Sequence, residues 1–374
     1  MGLFVDMNTH WQGVQRLSFS CLSIFCLRYK SFMIRNIPMC GIVGLFLKES
    51  SLESELGALF SEMLVCMSSR GPDSAGFAVY GTPAPVGKLK AILQHSNPDF
   101  DWSAIGVALE KQFRDKPSVE VNSTHARFLV KTNAQSIRSF LEANFPEVRI
   151  MSMGRRIEIM KETGLPESVV ERFSLRKIAG SHAIGHTRMA TESAVTTEGS
   201  HPFSTGVDLC LVHNGSLSNH NRLRRRLGRE GIEFHTENDT EVAAGYFARQ
   251  LANGATLKEA LEAGLKDLDG FYTFAVGTED GFAVLRDPIA CKPAVLAETD
   301  DYVAMASEYR SLANLPGIEG ARLWEPEPAV VYNWSRTQRR EPGFRKDKRI
   351  GVTAWPISGR SSQPDKILNP SSRE

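Results

Sequence analysis

Residues 39–47 read MCGIVGLFL, a methionine and a cysteine followed by an uninterrupted apolar run. A short run of this kind with β-branched residues predicts a buried strand over residues 41–47. Cys40 would then lie at the start of that strand. It is either an ordinary buried thiol or a nucleophile at the edge of a sheet, and its position directly after a methionine favours the nucleophile.

A thiol attacks only as the thiolate, and its free pKa of about 8.5 means that it needs a neighbouring base. An α-amino group, with a pKa of about 7.7–8.0, is an effective base near neutral pH. If Cys40 is the first residue of the mature chain, its own amine can take the thiol proton, directly or through a water. We therefore expect residues 1–39 to be an N-terminal extension that is removed, or Met39 to be the true initiator.

The extension contains an uncharged, largely apolar run at residues 17–27. This run is shorter than the about 20 apolar residues that a membrane span needs. Residues 28–30 read RYK, where a signal peptide would have a small-residue cleavage site. We therefore predict a cytoplasmic protein with no membrane partner.

The composition excludes several classes of protein. The chain has 374 residues, 44 Lys+Arg against 43 Asp+Glu, and 42% hydrophobic residues, which is close to the average for globular proteins. A net charge of +1 argues against a nucleic-acid partner, and the sequence contains neither a GxxxxGK[ST] nor a GxGxxG motif. The six cysteines form no CxxC pair, which favours reduced, buried thiols.

Apolar periodicity divides the chain into segments. Residues 52–67 predict an amphipathic helix, followed by a turn at 70–74 and a strand at 75–80. The sequence pattern changes from about residue 97 to residue 180, and this segment predicts an inserted α+β lobe. The elements predicted in the lobe are a helix at 101–114, a strand at 119–131, a helix at 134–144 and a helical stretch at 155–173. Later segments predict strands at 181–190, 207–214, 271–277, 281–286, 293–298 and 301–306, and helices at 218–230, 239–253 and 256–264.

Five short motifs follow one another between residue 40 and about residue 335. They are CGIVG at 40–44, RGPDS at 70–74, HTRMAT at 186–191, HNG at 213–215 and NDTE at 238–241. In this order they resemble the class II glutamine amidotransferases, a family of N-terminal-nucleophile hydrolases. Each motif alone is weak, but five in the right order form a specific signal.

The resemblance implies an α+β fold, a four-layer αββα sandwich of two antiparallel sheets between helices, with the lobe at about 97–180 as an insertion. It implies a glutamine amidotransferase type-2 domain over residues 40–335, followed by a mobile tail at 336–374. The implied reaction is hydrolysis of glutamine through a thioester at Cys40, with the ammonia passed to a partner synthase subunit.

The resemblance also assigns roles to individual residues. Arg188 would bind the α-carboxylate of glutamine, for which a guanidinium offers a planar fork, and Asp239 would pair with the α-ammonium. Asn214, through its side-chain NH2, and Gly215, through its backbone N–H, would form the oxyanion hole that stabilises the charge developing on attack by Cys40.

Taken singly, several of these residues have ordinary structural interpretations. Arg188 could form a surface ion pair, and Asn214-Gly215 is typical of a type I′ hairpin turn. Asp239 with Glu241 could simply be the acidic first turn of a helix. The RGPD turn at 70–73 is predicted to be structural and to hold the loop that covers the nucleophile.

The sequence predicts neither a metal site nor a cofactor on this chain. Four histidines lie close together in sequence, but their spacing matches no zinc template: His182, His186, His201 and His213.

The chain departs from the usual HTRWATHG string of the family. Thr191 is retained and is predicted to bind substrate, whereas Met189, Glu192 and Ser193 replace the Trp, His and Gly. The inserted lobe marks a distinct branch of the family. Three strings support a resemblance to the amidotransferase subunit of glutamate-synthase-like and N-methylglutamate-synthase-like systems: IMSMG at 150–154, DGFYTF at 269–274 and RDPIACKP at 286–293. This resemblance implies separate synthase subunits that carry flavin and iron–sulfur centres.

Two alternatives stay open from the sequence. The chain could be an N-terminal-nucleophile hydrolase of another amide, with Glu192 marking the altered specificity. It could also be a non-catalytic subunit that senses glutamine or serves as a scaffold.

Overall fold

The computed structural model describes residues 40–190 and 194–336. The strands are β1 (Gly41–Leu47), β2 (Ser74–Tyr80), β3 (Leu89–Gln94), β4 (Ser118–Asn122), β5 (His125–Val130), β6 (Arg149–Gly154), β7 (Ile157–Thr163), β8 (His182–Arg188), β9 (Cys210–Leu217), β10 (Gly270–Gly277), β11 (Gly281–Arg286), β12 (Val295–Glu298), β13 (Tyr302–Ala306), β14 (Arg322–Trp324) and β15 (Val331–Ser335). The α-helices are α1 (Leu56–Cys66), α2 (Trp102–Phe113), α3 (Ala134–Asn144), α4 (Pro166–Arg172), α5 (His220–Arg229), α6 (Asp239–Ala252) and α7 (Leu257–Asp267).

These strands form three antiparallel sheets. The large sheet has the order β14-β12-β13-β1-β8-β2-β7, the small sheet β15-β11-β10-β9, and the lobe sheet β4-β5-β3-β6. The described residues therefore mix helices with antiparallel sheets, which confirms the predicted α+β class.

The apolar run after Cys40 forms β1, and every residue of this strand is buried. β1 lies in the interior of the large sheet and pairs with β13 on one side and β8 on the other. In the second pairing Gly41 lies opposite Thr187 and Ile42 opposite His186. This register brings the thiol of Cys40 to the end of β8 that carries Arg188.

One hydrophobic core joins the large and small sheets. It combines residues of β1, β2 and β8 with residues of β9, β10 and β11, and α1 and α4 add side chains to it. At Gly44, in β1, a Cβ would lie 2.8 Å from the ring of Phe282 in β11. A glycine is therefore required where the two sheets approach each other closely.

A second core lies on the other side of the small sheet. There α5, α6 and α7 pack against β9, β10 and β11 through buried apolar side chains that include Leu223, Phe247, Leu261 and Phe274. The three helices were predicted from their apolar periodicity, and their positions are confirmed.

The lobe sheet and its two helices, α2 and α3, enclose a third core. They occupy residues 89–154, whereas the lobe was predicted at about 97–180. The lobe ends earlier than predicted because β7 pairs with β2 in the large sheet and α4 packs against the same sheet. It begins earlier because β3 pairs with β5 and β6 in the lobe sheet.

Two predictions of secondary structure within this region were wrong. The single strand expected at 119–131 is the hairpin of β4 and β5, which turns at Ser123 with a φ of 57°. The helix expected over 155–173 is β7 followed by α4. Pro166 begins α4, and a proline disfavours helical geometry at the residue before it, so one helix cannot run through this point.

None of the helices within residues 40–190 and 194–336 is long and apolar enough to span a membrane. The predicted extension at 1–39, the segment Thr191–Ser193 and the predicted tail from residue 337 onward lie outside the described residues.

Candidate active site

A cavity of about 300 Å³ opens where β1 begins, between the ends of β8 and β9. Five of the six predicted site residues line it: Cys40, Arg188, Asn214, Gly215 and Asp239. The sixth, Thr191, lies outside the described residues. The five come from separate parts of the chain, and the pairing of β1 with β8 and the packing of the two sheets bring them together.

The Cys40 thiol is half-buried, and its Sγ lies 3.7 Å from the carbonyl oxygen of Met189, to which it donates. Burial raises the pKa of this thiol above its usual value, and a hydrogen bond from the Met189 backbone and the charge of Arg188 offset part of the rise. A thiol whose pKa is raised is mainly protonated at neutral pH, so it needs a base before it can act as a nucleophile.

Asn214 approaches Cys40 from β9. Its side-chain Nδ2 donates to the carbonyl oxygen of Cys40 at 3.0 Å and to Oγ of Ser307 at 3.2 Å. On the other end of the amide, Oδ1 lies 3.1 Å from Nε2 of His186. The amide is therefore held at both ends beside the thiol.

Gly215 follows with a φ of 137°, which L side chains rarely adopt. A Cβ at this position would lie 1.9 Å from the carbonyl oxygen of Phe271. Asn214 and Gly215 pair with Thr273 and Tyr272 in the interior of the β9–β10 ladder. The structure thus excludes the interpretation of this dipeptide as a two-residue hairpin turn.

Arg188 ends β8, and only 7% of its surface is exposed. Its guanidinium donates to the carbonyl oxygen of Ala194 at 3.2 Å. Because the side chain is buried at a cavity wall, it is not the surface arginine of the ordinary interpretation.

The RGPD turn, which was predicted to be structural and to hold the loop that covers the nucleophile, packs against the end of β8. Asp73 accepts the backbone N–H of Ala190 at 2.8 Å and donates its own N–H to the carbonyl of Arg188 at 3.1 Å. A Cβ at Gly71 would lie 2.4 Å from the backbone of Thr187. The turn therefore packs directly against the strand that carries Arg188.

Asp239 is the first residue of α6. Its carboxylate accepts the backbone N–H of Leu217 at 2.8 Å and lies 3.6 Å from Nδ1 of His213. Burial alone would raise the pKa of Asp239, but the His213 contact and the Leu217 N–H outweigh it and lower the pKa to about 2. Asp239 is therefore a charged carboxylate at the cavity wall.

Glu241, two residues further along, has a different role. Its carboxylate turns away to accept the backbone N–H groups of His235 and Thr236, at 2.9 and 2.8 Å. It stabilises the loop before α6 and does not line the cavity.

The lowered pKa of Asp239 predicts a pH-dependent contribution to stability. Since the folded pKa of about 2 lies below the about 3.9 of an unfolded chain, the carboxylate stabilises the fold above pH 4, and this contribution disappears as the pH falls towards 2. We expect Asp239→Asn to lower the free energy of unfolding by on the order of 2 kcal/mol at pH 7 and by about half as much at pH 3.

Urea unfolding of wild type and Asp239→Asn at pH 7 and pH 3 measures this difference. The control is Asp280→Asn, because Asp280 is exposed and its replacement should change the free energy of unfolding by no more than about 0.5 kcal/mol at either pH. An equal loss of stability in Asp239→Asn at both pH values would contradict the expected role of the charge.

Two cations at the cavity were not among the predicted site residues. Arg70 donates from Nε to the carbonyl of Cys40 at 3.2 Å and forms an ion pair with Glu308. Lys292 lines the cavity, with its Nζ 5.3 Å from the centre of the Phe271 ring. Both belong to strings that carried the resemblance, RGPDS and RDPIACKP, and that resemblance was the only signal for them.

Three buried histidines lie at the cavity, and two of them, His201 and His213, line it. The rings of His186 and His201 stack with their centres 4.0 Å apart. The hydroxyl of Thr240 bridges Nε2 of His201, at 2.7 Å, and Nδ1 of His213, at 3.1 Å. Within the described ranges, no three His, Cys, Asp or Glu side chains are grouped so as to hold a metal ion.

Comparison with solved structures defines the class of fold. The glutamine phosphoribosylpyrophosphate amidotransferase of Bacillus subtilis matches 80% of this chain with a TM-score of 0.50 at 21% sequence identity. This likeness shows an N-terminal-nucleophile hydrolase fold. The matched region spans 50% of the Bacillus subtilis chain.

Sequence comparison then shows the family. A model described as a glutamine amidotransferase domain matches residues 186–314. The glutamine amidotransferase-like protein GlxB of Rhizobium meliloti is 59% identical over 300 residues, which cover 79% of this chain and 98% of that protein. A protein of Methanothermobacter thermautotrophicus, provisionally named a glutamine amidotransferase, is 32% identical over 315 residues, which cover 79% of this chain and 99% of its own. The chain belongs to the class II glutamine amidotransferases.

Proposed function

We propose that this chain is the glutaminase subunit of a glutamine-dependent synthase, in which Cys40 acts as an N-terminal nucleophile. The observation that carries the proposal is the cavity itself. Its walls present a thiol, a buried guanidinium, a charged carboxylate and an amide donor to one cavity. Glutamine is an amide that bears one carboxylate and one ammonium group. Its carboxylate matches the guanidinium, its ammonium matches the carboxylate, and its amide matches the thiol and the amide donor.

The charges indicate how glutamine would lie. Arg188 would bind the α-carboxylate through paired charge-assisted hydrogen bonds, and Asp239, ionised at neutral pH, would accept the α-ammonium. The side-chain amide would then extend towards Cys40. Thr191 is proposed as a further contact to the substrate.

The reaction begins with transfer of the thiol proton to the free α-amine of Cys40. The sulfur attacks the amide carbon, and the carbonyl oxygen becomes an oxyanion that receives N–H bonds from Asn214 and Gly215. Collapse of this intermediate breaks the C–N bond, and the proton returns to the leaving nitrogen as ammonia departs. Water then hydrolyses the thioester and releases glutamate and the thiol.

The α-nitrogen of Cys40 can act as the base only if it is a free amine, and it is an amide as long as Met39 precedes it. We therefore propose that residues 1–39 are removed, or that translation begins at Met39 and the methionine is cleaved. The raised pKa of the buried thiol supports the need for this amine.

We further propose that the layers follow the αββα order and that ammonia passes to separate synthase subunits with flavin and iron–sulfur centres. The packing of α1 and α4 on the large sheet, and of α5 to α7 on the small sheet, supports the layer order. The partner subunits rest on the resemblance carried by residues 150–154, 269–274 and 286–293.

The experiment is to express the full chain, determine the N-terminus of the purified protein by mass spectrometry, and assay it with glutamine and asparagine. We expect active protein to begin at Cys40 and to release glutamate and ammonia in equal amounts from glutamine. Hydrolysis of other amides but not of glutamine would favour the alternative hydrolase. Activity in protein that retains residues 1–39 would contradict the proposed base.

A further inference from the structure

The amide of Asn214 is held by different partners at its two ends. Nδ2 donates to the Cys40 carbonyl at 3.0 Å and to Oγ of Ser307 at 3.2 Å, whereas Oδ1 lies 3.1 Å from Nε2 of His186. His186 lies in β8, where 1% of its surface is exposed. It does not line the cavity.

These contacts determine the proton on His186. The carbonyl oxygen of Cys40 only accepts, so Asn214 must direct its NH2 group towards that oxygen and its Oδ1 towards His186. Only a protonated Nε2 can then donate to Oδ1. Nδ1 of His186 is buried without a hydrogen-bond partner among the described residues. A neutral ring with the proton on Nε2 satisfies these contacts.

We propose that His186 is a positioning residue that fixes the amide plane of Asn214 for stabilisation of the oxyanion. The inference rests on the proposed glutaminase function. When glutamine binds, an N–H of Asn214 must exchange one of its present acceptors for the carbonyl oxygen of the substrate. The bond from His186 is at the other end of the amide, so it persists while the partners of Nδ2 change.

The surroundings of His186 make it a rigid anchor. Its backbone pairs with Ile42 in β1 and Gly76 in β2. Its ring stacks on His201, which Thr240 holds at 2.7 Å. Burial also lowers the pKa of His186 to about 3, so the ring stays neutral over the pH range in which the thiol chemistry would operate.

The test uses the full chain, purified as wild type, His186→Ala and His186→Gln. A glutamine side chain can place an N–H near the position of the imidazole Nε2. We expect His186→Ala to lower kcat for glutamine by about 10- to 100-fold with KM nearly unchanged, since a small misplacement of a catalytic group has an effect of this size. His186→Gln should recover kcat to within about fivefold of wild type, because it restores the donor.

The matched control is His182→Ala. His182 lies in the same strand, is fully buried, and contacts the Thr278 carbonyl at 3.0 Å, away from the cavity. Its loss should reduce thermal stability as His186→Ala does, but kcat should stay within about twofold of wild type. In the Asn214→Ala background, His186→Ala should lower kcat by less than about threefold, because the group that it positions is already absent.

The outcomes separate this inference from the proposed function. Wild-type protein that does not hydrolyse glutamine would overturn both. Active wild type with His186→Ala no slower than His182→Ala would overturn the positioning role alone. The positioning role would also be overturned if His186→Ala lowered kcat as much in the Asn214→Ala background as it does in wild type. His186 would then act on a group other than Asn214. Nitrogen-15 NMR that places the His186 proton on Nδ1 would contradict the donor assignment directly.

Discussion

Cys40→Ala is expected to reduce glutamine hydrolysis by about 10⁴-fold or more, because no other residue described at the cavity carries a thiol that could form the thioester. Glutamine binding should persist, with a Kd by calorimetry within about threefold of wild type, since the ion pairs to Arg188 and Asp239 remain. Loss of hydrolysis with retained binding is the signature of a nucleophile. A subunit that only senses glutamine would have no hydrolysis to lose.

The control for this variant is Cys66→Ala. Cys66 is a free, half-buried thiol at the end of α1 and does not line the cavity. Its removal should leave kcat unchanged, and acylation by glutamine should still add the same mass to the protein. If Cys40→Ala hydrolysed glutamine at the wild-type rate, Cys40 would not be the nucleophile.

Asn214→Ala is expected to lower kcat by about 100- to 1,000-fold, because the oxyanion loses one preorganised donor. KM should change little, since the donor bonds to the oxyanion more strongly than to the carbonyl oxygen of bound glutamine. Asn214→Asp should be at least as damaging. It conserves the shape of the side chain but turns an acceptor towards the Cys40 carbonyl.

Asn333→Ala serves as the control for both variants. Asn333 lies in β15 of the same small sheet and does not line the cavity. It should reproduce wild-type kcat and KM, as measured by glutamate release. If Asn214→Asp and wild type had equal kcat, the side-chain amide would not be an oxyanion donor.

Strand pairing explains how motifs that are far apart in sequence contribute residues to one cavity. β1 lies between β13 and β8, so the residue before β1 meets the end of β8. The small sheet faces this pair and brings the Asn214-Gly215 segment of β9 to the same edge. Asp239 enters from the start of α6, where its carboxylate binds the Leu217 N–H at the end of β9.

Local patterns were sufficient for most elements. The apolar run after Cys40 predicted β1, and the periodic apolar residues after residue 217 predicted α5, α6 and α7. Such patterns depend on the period with which side chains face a core, and this period is a property of each segment alone. They failed at residues 155–163, where charged residues interrupt a strand that is buried by its partner β2.

The sequence by itself determined the strand after Cys40, most of the helix positions and the five motifs whose order resembles the family, because each of these depends on neighbouring residues. Tertiary structure alone decided that Arg70 and Lys292 line the cavity and that His186 holds Asn214. It also decided that β7 joins the large sheet. These facts depend on which strands pair and which faces of the sheets pack together. The local patterns allow many such arrangements, and burial and hydrogen bonding between residues distant in sequence select one of them.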